Sequence, residues 1–132
     1  MRAEKVIRTL LMNASGVTAL VSTRCYPPPL PQGVAFPALA VEHISTTPLP
    51  TLDASAPYGL VQSRIEVTVL AKDYVTQKSV LEEVRKACDY QRGTIAGVNV
   101  ASVLRDSVGP DIRDDDMQIF RQSIDFLVTL RE

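Results

Sequence analysis

Apolar residues recur along this chain with two different periods, and the switches between them divide it into elements. Val6, Ile7, Leu10 and Leu11 fall at i, i+1, i+4 and i+5. That spacing gathers them on one face of a helix and leaves Glu4, Lys5, Arg8 and Thr9 to water, so a helix is predicted over residues 3–12. Asn13, Ala14, Ser15 and Gly16 interrupt it, with Ser15 placed to cap a further short turn through Leu20 and Val21. Over residues 60–71 the period falls to two, as Val61, Ile65, Val67 and Val69 alternate with Gln62, Arg64, Glu66 and Thr68. This is a strand with one buried face. After Asp73, an N-cap candidate, helical spacing returns: Val80, Leu81, Val84, Ala87 and Cys88 form one stripe, and Lys78, Glu82, Glu83, Arg85 and Lys86 the opposite one. That second helix runs to about Tyr90.

Three more strands follow from the same reading. Over residues 38–45, Leu39, Val41 and His43 fall on one side and Ala40, Glu42 and Ile44 on the other. Over 98–108, Val98, Val100, Leu104 and Val108 stand against Asn99, Arg105 and Ser107. In the last strand, 117–130, Phe120, Ile124, Phe126, Val128 and Leu130 share a face. Between these elements lie a Pro-rich connector at 27–37, with five of the nine prolines, and a long hairpin loop at 46–59 with three more and one charge, Asp53. Gly109-Pro110 and an acidic turn precede the final strand.

The implied order is α-β-β-α-β-β, a permuted ferredoxin-like arrangement. Residues 1–132 read as a single α+β domain: a mixed four-stranded β-sheet with two α-helices packed mainly on one face. On the other face the polar alternation fails at Leu60, Leu70, Met117, Ile119 and Leu127. Either a partner subunit packs there, or a twisted sheet leaves isolated apolar residues exposed.

Composition narrows the function classes. The 132 residues are 45% hydrophobic and 22% charged with a net charge of -1, so no global field draws the chain onto a phosphate backbone. No apolar run approaches the length that crosses a bilayer, and a soluble protein made in a cytoplasm is expected. Cys25 and Cys88 lack the close spacing of a redox or zinc motif and read as buried thiols. His43, the one histidine, lies within a strand and reads as half-buried and structural. The six glycines are scattered singly, which leaves no phosphate loop. Asp111, Asp114, Asp115 and Asp116 fit no EF-hand spacing and read as a solvated acidic turn. No catalytic residue, metal site or cofactor is expected.

The segment Arg24-Cys25-Tyr26-Pro27, followed by Pro31-Gln32-Gly33, Phe36-Pro37 and a strand ending in Ile44-Ser45, resembles the N-terminal signature of the tail completion, or tail terminator, proteins of long-tailed bacteriophages and prophages. The likeness extends over nearly the whole chain, through Leu70-Ala71-Lys72-Asp73 and a helix opening at Tyr74 to Ser79. Cys25 departs from the usual aliphatic residue. The resemblance implies a subunit of the virion tail, assembled in the bacterial host cytoplasm. It forms a ring, commonly a hexamer, on the tail tube, stops tube growth and presents a surface to the head connector. Its expected partners are itself, the major tail tube protein and the head-tail connector protein, with no sequence-specific nucleic-acid binding and no membrane. On that reading Leu49, Leu52 and Tyr58 contact the tube or a neighbouring subunit, and Asp111, Asp114, Asp115 and Asp116 line the lumen, where like charge repels passing DNA. A neck or head-to-tail adaptor, a ferredoxin-like small-ligand or regulatory module and, last, an enzyme are the alternatives.

Overall fold

The computed structural model describes residues 2–49, 59–115 and 118–131. Helix α1, Arg2–Asn13, buries Ala3, Val6, Ile7 and Leu11. Helix α2, Ser15–Val21, follows after one residue; its N-cap is Ala14, and Ser15 lies inside the helix rather than capping it. Strand β1, Cys25–Tyr26, leads into the Pro-rich connector, and β2, Ala38–Leu49, pairs with β3, Leu60–Ala71. Helix α3, Tyr74–Cys88, is capped by Asp73, whose carboxylate accepts from the Thr76 amide at 3.3 Å and the Thr76 hydroxyl at 2.9 Å. Strands β4, Gln91–Ile95, β5, Val98–Val108, β6, Ile112–Asp114, and β7, Ile119–Arg131, complete the chain.

The sheet runs β1-β2-β3-β7-β5-β4, with β6 also on β7, and only the β1 to β2 pairing is parallel. Three helices and a mixed seven-stranded sheet replace the expected two helices and four strands, and the ferredoxin-like order does not hold. The additional elements are ones that periodicity cannot register. β1 has two residues, opposite Leu39 and Ala40. β4 is a polar edge strand joined to β5 through Ala96 and Gly97, both at positive φ (53° and 77°), the two-residue turn that suits the twist of a hairpin. β6 sits within the acidic turn.

β3 pairs along its whole length with β7, from Leu60 opposite Arg131 to Ala71 opposite Phe120. Their inward faces carry Val61, Ile65, Val67 and Val69, and Ile124, Phe126, Val128 and Leu130, all buried beneath the helices. β5 departs from simple alternation because register shifts between Val100 and Ser102 and between Arg105 and Ser107 reset its faces. Val103 therefore takes the buried place, while Leu104 and Val108 are exposed. β2 reaches Leu49, so Thr46 to Leu49 belong to the ladder with β3 rather than to the hairpin loop.

Cys25 and Cys88 are both free and buried, and burial pushes both thiols above their ordinary pKa, with Arg8 pulling weakly the other way at Cys25. His43 is half-buried, with Nε2 2.6 Å from the Thr46 hydroxyl.

Candidate assembly surface

The face of the sheet turned away from the helices has a charged floor. On this face Glu42 of β2, Glu66 of β3 and Asp125 of β7 stand in one cross-strand row, Glu42 opposite Glu66 and Glu66 opposite Asp125. Like charges placed directly opposite destabilise a sheet unless something neutralises them. Arg64 does so at one end: its Nη1 donates to Asp125 Oδ2 at 3.1 Å and to Asp106 Oδ2 at 2.5 Å. The hydrogen bond to Asp106, more than any other contact, holds the guanidinium above its ordinary pKa. Glu42 and Glu66 have no cation within ion-pair distance among the described residues. Among the described residues Glu66 accepts only a long 3.5 Å bond from the Thr68 hydroxyl.

The Pro-rich connector folds over this floor. Arg24 fixes its base, donating from Nε to the Pro37 carbonyl at 2.9 Å and from Nη2 to the Leu20 carbonyl at 3.3 Å, while the Leu39 amide donates to the Arg24 carbonyl. Half-buried Leu30, Val34 and Phe36 then look across a groove of about 680 Å³ toward Ala40, Leu70 and Ile119 of the sheet. Glu42, Glu66, Thr68, Asp114 and Arg121 supply its polar groups. The Lys72 ammonium lies over the Phe36 ring, 5.9 Å from its centre. The connector thus covers part of the apolar surface noted on this face, leaving Ile119 only 4% exposed. Leu70, Leu60 and Leu127 are half-buried, the last beside Leu104 of β5. Met117 lies outside the described residues.

The expected contact and lumen residues do not form one site. Leu49 is half-buried at the end of β2, opposite Leu60, and Leu52 and Tyr58 lie outside the described residues. Asp111 accepts from Lys78 Nζ of α3 at 2.5 Å, and the same ammonium reaches Gln122 Oε1 at 2.6 Å. Asp115 is 3.3 Å from Arg113 Nε. Asp114, opposite Ile119 in the ladder, lines the groove, and Asp116 lies outside the described residues. No set of three His, Cys, Asp or Glu side chains among the described residues is arranged to hold a metal ion. No described helix is long and apolar enough to cross a membrane.

The groove was not foreseen from the sequence. Its signals were the apolar Leu30, Val34 and Phe36 among the prolines and the failed alternation at Leu70 and Ile119. The Glu42 to Glu66 opposition depends on strand register, which no single segment reveals.

The chain is thus a single α+β unit with helices on one face of a seven-stranded sheet and a connector-walled groove on the other. A family model, Tail completion protein gp17, matches residues 5–131. The chain belongs to that family, and so is a structural protein of phage tail assembly located in the virion tail. A neck adaptor or a small-ligand module is not favoured, and the family is one of structural virion proteins. No curated protein sequence matches the chain. Among solved structures, a chain of the virion of a native gene transfer agent particle shares the fold, with a TM-score of 0.72 and 15% identity, covering 98% of this chain and 94% of that one.

Proposed function

We propose that copies of this chain form a ring on the end of the tail tube, end its polymerisation and offer the surface to which the head connector joins, acting by shape and with no catalysed step. The observation that carries the reading is the family match over residues 5–131, joined to a sheet face whose groove holds two carboxylates with no ion pair among the described residues. A ring subunit must present such surfaces to neighbours. Its partners are then further copies of itself, the major tail tube protein and the head-tail connector protein, met during assembly in the host cytoplasm.

Within that ring, the hairpin tip bearing Leu49, Leu52 and Tyr58 contacts the tube or a neighbour. The turn with Asp111, Asp114, Asp115 and Asp116 faces the lumen, where net negative charge keeps DNA from sticking. Replacing residues 50–59 by Asn-Gly closes the hairpin with a compatible two-residue turn. The expected result is a folded protein and overlong or headless tails in electron micrographs. Tails that end and join heads normally would remove the contact assignment. Reversing the four aspartates to lysine is expected to raise DNA retention by isolated rings and slow DNA passage in particles; unchanged behaviour in both assays would remove the lumen assignment.

A further inference from the structure

Two sets of charges without ion pairs lie on opposite sides of the same strands. On the helix side, Lys5 and Arg8 of α1 are exposed and make no ion pair among the described residues. They border a shallow hollow at the β1 edge with Tyr26 and Pro27, which half-buried Glu4 also lines. On the far side, Glu42 and Glu66 lie on the groove floor. Among the described residues the groove's other charges are Asp114 and Arg121, which leaves that lining net negative. Its walls, Leu30, Val34 and Phe36, suit the methylene stems of long basic side chains, whose heads would reach the carboxylates.

The two surfaces point in different directions and cannot meet within one chain. We propose, resting on the ring reading above, that they meet between copies: Lys5 and Arg8 of one subunit enter the acid-floored groove of the next. Such a contact is heterologous, joining two unlike patches, and repeated around an axis it closes a ring. Charge complementarity, with Lys5 and Arg8 side by side at one hollow, supports this occupant. The chain carries the basic counterpart of its own acidic groove, and matched opposite patches steer association and fix register.

The test uses three full-length variants: Lys5→Glu with Arg8→Glu, Glu42→Lys with Glu66→Lys, and all four together. Circular dichroism and melting establish folding, and ring formation is followed in solution by sedimentation and on purified tail tubes by electron microscopy. Each double reversal is expected to weaken assembly about tenfold or more, because like charges then face each other across the contact. The fourfold variant, with both signs exchanged, is expected to recover assembly to within a few fold, which a merely structural role for these residues would not produce. Raising salt from about 0.05 to about 0.5 M is expected to weaken wild-type rings by screening the contact. Double-reversal variants that both assemble rings as well as wild type, or a fourfold variant no better than the doubles, would overturn this contact and leave the ring reading standing. A wild-type chain that forms rings neither in solution nor on tubes would overturn both.

Discussion

Gln77 stands on the inward stripe of α3 with Val80 and Val84 and is fully buried, yet neither atom of its amide finds a hydrogen-bond partner among the described residues. Burying an amide without partners costs roughly 1–3 kcal/mol on scales drawn from protein mutations. Methionine has nearly the same length and shape and carries no polar end, so Gln77→Met removes that penalty without opening a cavity. The expected gain is therefore about 1–3 kcal/mol. For a chain of 132 residues the entropy of unfolding converts each kcal/mol into a melting shift of about 4 °C, so the variant should melt roughly 4–12 °C higher. Urea unfolding supplies the second measure: the midpoint should rise while the slope stays constant, since the surface exposed on unfolding is unchanged. Gln77→Glu, which adds a charge at the same place, should lower stability. A Met variant that melts at or below the wild-type temperature would refute the reasoning, because it would mean the amide is satisfied in solution, for instance by an internal water.

The remaining predictions concern single sites. Cys25 and Cys88 should resist a thiol reagent in the native protein and both react after denaturation; because burial raises both above the ordinary 9.0, the unfolded thiols ionise first, and stability measured by melting should fall as pH rises past about 9. Asp73→Ala removes both bonds to Thr76 and should cost about 1 kcal/mol in urea unfolding, whereas Asp73→Ser should cost less. Ala96, held at a φ of 53° in the β4 to β5 turn, should be better served by asparagine, and Ala96→Asn should raise stability by up to about 1 kcal/mol in the same assay.

Long regular elements were legible because many residues vote for one period. The alternation from Leu60 to Ala71 gave β3 with its bounds, and the switch after Asp73 gave both the start and the cap of α3. The fold class was not legible, for a physical reason. β1, β4 and β6 are short, and β4 and β6 bury none of their residues fully, so two to five residues carry no periodic signal. β5 was found as a strand, but its bulges put Leu104 on the outer face, where alternation alone had set it inward. The site shows the same division. Leu70 and Ile119 stood out as apolar residues on the outer face, yet what covers them is a proline segment, and fixed φ angles do not say where a connector docks. The aspartates of 111–116 looked like one cluster until Lys78 and Arg113 took Asp111 and Asp115 in different directions.

β2 and β3 are twelve residues each and pair from Ala38 opposite Leu70 to Leu49 opposite Leu60. At about 3.3 Å per residue the hairpin is a strut of roughly 40 Å, with the groove near its base and the tip at its far end. Its reach is therefore a matter of counting residues: removing two from each arm would shorten it by about 7 Å while keeping every side chain on its own side.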